Sequence, residues 1–404
     1  MRSPKEAIAE ILGCVTGVRD DELVSVEQSD GRVLSRRASS DLDLPPFEKS
    51  AVDGFAVRAA DFAESNAASG ERSLPILGES RAGEPFRGDL PAGACVAIYT
   101  GAELPSGSDA VVMVEQSRSD GANVVLRDHV RLGQNVCHRG QDLRDGQLVF
   151  EPGRVLRPAD LAVLASIGCD PVPVWRRVKV CVVTTGDELV PPSARPGPGQ
   201  IRESNTLELA ALARRAGADV TNLGVVRDVP AELARRLADA LARCDVLVTT
   251  GGVSVGKYDF VGAALEALGV RPVFHKIAMK PGKPLWFGMH GEKPVFALPG
   301  NPVSCFVGFE LFVRPALAKL SNATDFGARV RRGRWCGGEL APNPREQYLP
   351  CTTRPGSDGV EELVPVRWNG SADVVGLARS EALAVAPIET RIAAGEMVEY
   401  RLLP

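Results

Sequence analysis

The stretch TTGGVSVGKYDF at residues 249–260, continued by KIAMKPGKP at 276–284 and FALPGNP at 296–302, decides the predicted fold. The short apolar runs DVLVTT and PVFAL in and before this stretch each end abruptly in a glycine turn. That pattern is typical of buried parallel strands that feed functional loops. Open α/β sheets bind their ligands in the crevice beyond the carboxyl ends of such strands. The stretch therefore predicts a ligand site built on strand ends.

Asn301 and Pro302 open the apolar segment that follows the last of these turns. Asn is a good N-cap residue and Pro suits the first helical position, so a helix is expected to begin here. Exposed N–H groups at such a helix start favour an anion by about 0.3–1 kcal/mol from the dipole alone. Positive charge comes from three lysines, Lys276, Lys280 and Lys283. Asp259 adds a carboxylate suited to a divalent cation. We therefore expect a phosphate-bearing or oxyanionic ligand bound with magnesium.

From Val178 onward the sequence alternates buried strands with helices. VKVCVVTTGDEL is a strand that ends at a glycine turn, and SNTLELAALARRAG is a helix with Ser204 or Asn205 as its cap. Such alternation predicts a doubly wound, mostly parallel α/β sheet. Its strand ends would bring one set of residues to a single rim: Asp187, Glu188, Asp228, Thr250, Gly251, Gly252, Pro299, Gly300 and Asn301.

Residues 45–142 are rich in Gly, Pro and short β-prone runs, which predicts a small β domain ahead of the α/β domain. Asp53 precedes Gly54 in a predicted tight turn that presents its carboxylate. The residues alone favour the plainer interpretation, in which Asp53 only caps its own turn. Thr100 and Asp142 lie at the ends of short runs, where loops carry function more often than cores do.

The last segment, from about residue 325 to the C-terminus, has short strands, many Gly and Pro residues and little helical periodicity. This composition predicts a small β-barrel or sandwich. Arg345, Ser371 and Asp373 stand out there only as polar residues in loop-like sequence.

The bulk composition excludes several classes of protein. A chain of 404 residues predicts more than one domain, and a net charge of −4 gives no reason to expect nucleic-acid binding. Nine cysteines without a CxxC pair indicate reduced thiols, and four unpaired histidines make a His-based metal site unexpected. The N-terminal residues lack a signal-peptide core and no run approaches a membrane span. A cytoplasmic protein is expected.

Several motifs that would mark common enzyme classes do not occur. Without HExxH, a P-loop or a GxGxxG after the first strand, zinc-hydrolase, nicotinamide and P-loop interpretations lack support. What remains is a set of carboxylates near lysines around glycine turns: Glu188, Asp228 and Asp259. Grouped carboxylates hold magnesium against phosphate oxygens, and lysines neutralise anions. The alternative is surface ion pairs, each worth about 0–1 kcal/mol.

Five motifs in this order resemble the molybdopterin molybdenumtransferase family, which includes MoeA and the corresponding domain of gephyrin. They are PPFEKSAVDGFAV, TGDEL, TTGGVSVGKYD, KPGKP and LPGNPVS, and the resemblance extends from GRVL at 31–34 to IAAGEMVEY at 392–400. Family members insert molybdate into adenylylated molybdopterin with magnesium, forming molybdenum cofactor and releasing AMP. The resemblance implies an elongated homodimer that hands its product to maturation proteins of molybdoenzymes.

The resemblance also implies a division into four domains. A discontinuous N-terminal domain would comprise residues 1–44 and 143–176, with a small β domain at 45–142 between its parts. An α/β domain that binds molybdopterin and molybdate would follow at 177–322, and a C-terminal β-barrel at 323–404.

Site roles follow from the same resemblance, position by position. Molybdate would be held by Ser254, Lys280 and Lys283, helped by Arg345. Magnesium or the adenylate would be served by Glu188, Asp228 and Asp259, and phosphates by Lys276 and Ser304. The turns that surround the substrate would be Thr250, Gly251, Gly252, Pro299, Gly300, Asn301 and Pro302. Asp53, Thr100 and Asp142 would reach a neighbouring subunit's cleft, and Ser371 matches a serine loop of the final domain loosely.

One position departs from the family pattern, which has a second arginine where this chain has Pro350. Losing one charge-assisted hydrogen bond there would cost on the order of 1.5–3 kcal/mol. Three alternatives stay open at this stage. An adenylyltransferase or a nucleotide-processing enzyme shares the α/β domain, although the turn GGVSVGKYD favours the molybdenum-inserting type. The third alternative is a non-catalytic pterin-binding scaffold.

Overall fold

The computed structural model describes residues 1–62, 71–127, 129–252, 260–325 and 330–404. These fall into two compact units. The larger unit comprises residues 1–36, 152–158 and 171–404, and the smaller one comprises 37–151 and 159–170. The four domain boundaries expected from the sequence stay a prediction. None of the helices in the described ranges is long and apolar enough to cross a membrane.

Helix α1 (Pro4–Cys14) opens the larger unit and begins at a capping box. The Ser3 hydroxyl accepts from the Glu6 N–H while the Glu6 carboxylate accepts from the Ser3 N–H, so two free donors of the first turn are satisfied. The helix buries Ala7 and Ile11 against the core of the α/β domain. Strand β1 (Asp21–Val24) follows.

The smaller unit is built mainly from short strands, as the Gly- and Pro-rich sequence predicts. The strands are β2 Ala38–Ser39, β3 Lys49–Ser50, β4 Gly54–Val57, β5 Glu71–Ser80, β6 Cys95–Ile98, β7 Ala110–Met113, β8 Ser117–Ser119, β9 Asn123–Arg127, β10 Val136–Cys137 and β11 Leu148–Phe150. Its main sheet has the order β7-β4-β6-β5-β9-β8. Gly54 starts β4, where a Cβ would overlap the Val112 carbonyl of the neighbouring strand, so only glycine allows this pairing.

Helix α2 (Pro158–Ser166) belongs to the smaller unit except for its first residue. Strand β12 (Val172–Trp175) belongs to the larger unit and pairs antiparallel with β1. Nine strands follow: β13 Lys179–Thr185, β14 Leu189–Val190, β15 Ile201–Arg202, β16 Asp219–Val226, β17 Val246–Thr250, β18 Arg271–His275, β19 Met279–Lys280, β20 Trp286–His290 and β21 Lys293–Leu298. The helices are α3 Asn205–Arg215, α4 Pro230–Arg243, α5 Phe260–Ala267, α6 Pro302–Gly308 and α7 Arg314–Leu320, with a π-helical segment Phe309–Val313 between the last two.

Six of these strands form the central sheet in the order β16-β13-β17-β21-β20-β18. The first four run parallel, and β20 and β18 are antiparallel to their neighbours. Alternate residues of β13 serve opposite faces, as a strand requires. Val180 and Val182 pack on the face covered by α3 and α6, while Cys181 and Val183 pack on the face covered by α4 and α5. The predicted doubly wound, mostly parallel sheet is confirmed.

The C-terminal segment forms the predicted β-barrel rather than a sandwich. Its strands are β22 Val330–Trp335, β23 Glu346–Pro355, β24 Glu361–Pro365, β25 Ala382–Ala386 and β26 Met397–Leu402, with helix α8 (Val374–Ala378) before β25. Pairings run from β23 through β24, β22, β26 and β25 back to β23, so the ring is closed. Closure removes the free edges that an open sheet would expose. Strand β19 of the α/β domain pairs with β23 from outside the ring.

Candidate functional site

An acidic cavity of about 480 Å³ lies at the carboxyl ends of the parallel strands, where the sequence places it. Glu188 and Asp228 line it, together with the turns after β17 and β21. The Thr185 hydroxyl donates to the Asp228 carboxylate, and the Asp228 N–H donates to Asp187 at 3.2 Å. These bonds tie the turns after β13 and β16 to each other. The predicted convergence of Glu188, Asp228 and the two glycine turns is therefore present.

The turn after β17 depends on two glycines. Gly251 has φ +86° and Gly252 has φ +62°, both in the left-handed region. A Cβ on Gly251 would lie 2.5 Å from the Thr185 carbonyl, and one on Gly252 would lie 2.6 Å from Val261 Cγ2. Both the backbone conformation and the close packing therefore require glycine, and both glycines line the acidic cavity.

A second, cationic cavity of about 570 Å³ adjoins the first one. The two share Pro284, Pro299 and Asn301 in their walls. The remaining lining residues of the cationic cavity are Lys280, Pro281, Gly282, Lys283, Ser304, Arg345, Trp368, Asn369, Gly370 and Ser371. Predicted site residues from the α/β domain and from the barrel thus meet here.

The pairing of β19 with β23 explains why Lys280 and Arg345 line one cavity. Lys280 lies opposite Gln347, and the Glu346 N–H donates to the Ala278 carbonyl at 2.9 Å. Within the part of the chain that the structure describes, Lys280, Lys283 and Arg345 form no ion pair. Three cations that line one cavity without partners favour a bound anion.

Asn301 stands at the N-cap position of α6, with Pro302 as the first helical residue, as predicted. Its side chain does not cap the helix, however. The Asn301 amide instead donates to the Ser371 hydroxyl at 2.9 Å, and the Val303 N–H donates to the Ser371 carbonyl at 3.1 Å. The predicted N-cap position is therefore confirmed, but the Asn301 side chain bonds to the barrel loop and not to the first turn of the helix. The same bonds bring Ser371 into the site.

Asn205 was expected only as a helix cap, yet it links two site turns. Its Nδ2 donates to the Gly300 carbonyl at 2.7 Å and to Thr250 Oγ1 at 3.1 Å. Ser204 occupies the N-cap position and makes no capping bond with its side chain. A polar residue that follows a strand in a loop-to-helix turn was the available signal, but its partners lie 45 and 95 residues away. Trp368, Asn369 and Gly370 were also missed, because nothing local marks their loop.

The remaining predicted residues of the α/β domain and the barrel lie in a cavity wall, away from both cavities, or outside the described residues. Lys276 has φ +72° and lies at the start of the loop that carries Lys280, but it is not among the described residues that line either cavity. Ser304 is buried in the wall of the cationic cavity. Pro350 is buried in β23 opposite Leu383 and lines neither cavity in the described ranges. Ser254 and Asp259 lie outside the described residues.

In the smaller unit, Asp53 and Thr100 form one contact. The Asp53 carboxylate accepts from the Thr100 N–H and from its hydroxyl, each at 2.7 Å. These two bonds lower the pKa of the Asp53 carboxyl. The interpretation that Asp53 only caps its own turn is therefore wrong, because its carboxylate joins a second turn. Asp142 lies on an exposed turn whose N–H donates to the Leu44 carbonyl.

The larger unit thus combines an α/β domain with a β-barrel. Its acidic cavity at the strand ends and the adjoining cationic cavity form the acidic half and the cationic half of one candidate site. Such a site is suited to ligands that carry phosphate or another oxyanion.

Comparison with known families gives three matches along the chain. Residues 2–168 match the MoeA N-terminal region (domain I and II), residues 181–319 a probable molybdopterin binding domain, and residues 337–403 the MoeA C-terminal region (domain IV). The chain belongs to the molybdopterin molybdenumtransferase family. Matches at both ends of the chain separate it from proteins that share only the α/β domain.

Similar proteins agree with this assignment. A molybdopterin molybdenumtransferase of Nostoc sp. is 35% identical over 96% of this chain and 89% of its own length. One from Bacillus subtilis is 34% identical over 92% of this chain and 87% of its own. The crystal structure of a molybdopterin biosynthesis moeA protein from Pyrococcus horikoshii OT3 superposes with a TM-score of 0.83 at 29% identity, covering both chains fully.

Proposed function

We propose that this chain inserts molybdate into adenylylated molybdopterin and releases AMP, forming molybdenum cofactor. The observation that carries the proposal is the cationic cavity. Lys280, Lys283 and Arg345 line it, form no ion pair in the described part of the chain, and adjoin the acidic half through shared walls. A tetrahedral dianion would therefore bind in the cationic cavity, and a phosphate-linked nucleotide would bind in the acidic cavity beside it.

In this proposal the cationic half holds molybdate. Lys280 and Lys283 would supply compact positive charge, and the planar guanidinium of Arg345 would contact two oxygens at once. The hydroxyls of Ser304 and Ser371 would orient the oxyanion. Fixed donors cost little reorganisation when charge shifts during the transfer. Lys276 and Ser254 belong to the proposal on the family resemblance alone.

The acidic half would serve magnesium and the adenylate. The described residues contain no group of three or more His, Cys, Asp or Glu side chains placed to hold a metal ion. Magnesium nevertheless often binds through one or two carboxylates together with substrate phosphates, and Glu188 and Asp228 line one cavity. These two residues therefore fit such an ion, with Asp259 added by resemblance. When bound, magnesium would neutralise phosphate charge.

The smaller unit and the assembly enter only as proposals. Asp53, Thr100 and Asp142 would act at a partner subunit's cleft in a homodimer, as the resemblance implies. Handover of the product to maturation proteins has the same basis, whereas the cytoplasmic location is proposed on the nine cysteines without a CxxC pair.

The test is AMP release from adenylylated molybdopterin by the purified chain, with and without molybdate and magnesium. We expect molybdate-dependent release with active cofactor as product. Lys280→Met should lower the apparent affinity for molybdate by about 10-fold or more, since one charge-assisted contact is worth roughly 1.5–3 kcal/mol. Lys179→Met changes an exposed lysine at the opposite end of β13 and should leave release unchanged.

Two outcomes would contradict the proposal. Tight substrate binding without release would indicate a pterin-binding scaffold. Absence of binding would favour the nucleotide-processing alternatives. The strand-end cavity would then remain the candidate site, but for a different ligand.

A further inference from the structure

A buried hydrogen-bond network lies beneath the turn formed by residues 299–301. Thr250 Oγ1 donates to the Pro299 carbonyl at 3.0 Å, and Cys305 Sγ donates to the same carbonyl at 2.7 Å. Thr250 and Cys305 have no exposed surface. Burial raises the pKa of the Cys305 thiol, so the thiol keeps its proton and remains a donor.

Asn205 completes the network from helix α3. It is 9% exposed, and its two Nδ2 protons go to the Gly300 carbonyl and to Thr250 Oγ1. The carbonyls of Pro299 and Gly300 are therefore both directed into the protein. Removing a donor from such a buried site would leave a carbonyl unpaired, which is costly.

The direction of these carbonyls fixes the direction of two amides. In a trans peptide the N–H points opposite to the C=O of the preceding residue. With both carbonyls turned inward, the N–H groups of Gly300 and Asn301 are turned away from the network. Both residues line the acidic cavity, and among the residues that the structure describes neither N–H has a hydrogen-bond partner.

We propose that Asn205 is a positioning residue which, with Thr250 and Cys305, holds the Gly300 and Asn301 amides toward the cavity to bind a phosphate group of the substrate. The identity of that substrate rests on the proposed function, whereas the orientation of the amides rests on the network. Asn205 acts through the turn and contributes to binding, not to chemistry.

Asn205→Asp is the sharpest variant because it exchanges a donor for an acceptor at constant shape. A carboxylate cannot donate to the Gly300 carbonyl, and it would accept the Asn301 N–H if that peptide flipped inward. The cavity would then present a carbonyl where it had presented an amide. We expect the affinity for AMP to fall by about 10- to 100-fold. The affinity for adenosine, which lacks the phosphate, should stay within about 2-fold.

The direct readout is the amide spectrum of the full-length protein, labelled with nitrogen-15 and titrated with inorganic phosphate. In the wild-type chain the Gly300 and Asn301 amide signals should shift and saturate, and in Asn205→Asp this response should be lost. Asn205→Ala removes the donor without adding charge and should show an intermediate loss. Asn222→Asp is the matched control, since Asn222 lies on β16, lines neither cavity in the described ranges and donates to Thr206 Oγ1 at 3.1 Å.

Two results would overturn the inference. One is a wild-type protein whose Gly300 and Asn301 amides do not respond to phosphate. The other is an Asn205 variant that weakens AMP and adenosine equally, since a purely structural role predicts that pattern. Absence of AMP release from the wild-type protein would refute the proposed function instead, and the phosphate titration would still decide the role of Asn205.

Discussion

Glu208 is a carboxyl on helix α3 that the proposed chemistry does not use. It faces a cavity lined by Phe306 of α6 and Leu377 of α8, and its Oε2 is buried with no hydrogen-bond partner among the described residues. Burial raises the pKa of the Glu208 carboxyl to about 8. The neutral form therefore prevails in the folded state at neutral pH, whereas the unfolded chain ionises near the usual value.

This carboxyl makes stability depend on pH. The folded state binds the Glu208 proton more tightly than the unfolded state does, so its contribution is fully present below pH 4.5 and is lost as pH rises through about 8. We expect Glu208→Gln to remove this loss of stability at high pH, because the glutamine side chain does not ionise. The variant's free energy of unfolding should exceed that of the wild type by an amount that grows with pH, to the order of 3–4 kcal/mol at pH 8.5.

Urea unfolding at pH 5 and pH 8.5 measures the effect. Glu266→Gln, an exposed position on α5, is the control and should show no such trend. A Glu208→Gln variant whose advantage does not change between the two pH values would contradict the raised pKa.

At the scale of elements, the turn after β17 sets how closely α5 can approach the sheet. Gly252 combines a left-handed backbone with close contact to Val261 on α5. We expect Gly252→Ala to cost about 2–5 kcal/mol of stability, since a left-handed alanine costs about 1–2 kcal/mol and overpacking about 1–3 kcal/mol. Gly269 has φ +86° but nothing within 4 Å of its Cβ position, so Gly269→Ala carries only the backbone cost.

The two alanine variants separate packing from backbone strain. Urea midpoints should rank wild type above Gly269→Ala and Gly269→Ala above Gly252→Ala. Equal urea midpoints for the two variants would show that α5 shifts to accommodate the added methyl group without a further loss of stability.

The elements that sequence predicts well are those whose signals are local. Strands β17 and β21 and the glycine turns after them are marked by apolar runs that stop abruptly, so the acidic half of the site follows from the sequence. The Ser371 loop and the second role of Asn205 depend on partners far along the chain. Asn301 shows the same limit, because a helix-start signal gives its position but not the loop that takes its side chain.

At the scale of the whole molecule, the larger unit has a core that crosses from one domain into the next. Tyr348, Leu383 and Val385 of the barrel are buried in the same cluster as Phe309 and Phe312 of the segment between α6 and α7. Trp335 and Leu363 belong instead to a cluster inside the barrel. The shared cluster ties the barrel loops that carry Arg345 and Ser371 to the helix that follows the 299–301 turn.

Leu383→Ala tests whether this shared core couples the two domains. Leu383 is 1% exposed, and truncating such a leucine costs about 2–5 kcal/mol. We expect the loss to reach the α/β domain, so hydrogen exchange of the α6–α7 segment should speed up by about 10-fold or more. Leu363→Ala removes an equally buried leucine from the barrel's own core and should speed exchange mainly in β23 and β24. Unchanged protection of α6–α7 in Leu383→Ala would mean that the barrel and the α/β domain open independently. The cationic half of the site would then depend on the β19–β23 pairing and on the bonds of Ser371 to Asn301 and Val303, and not on the shared cluster.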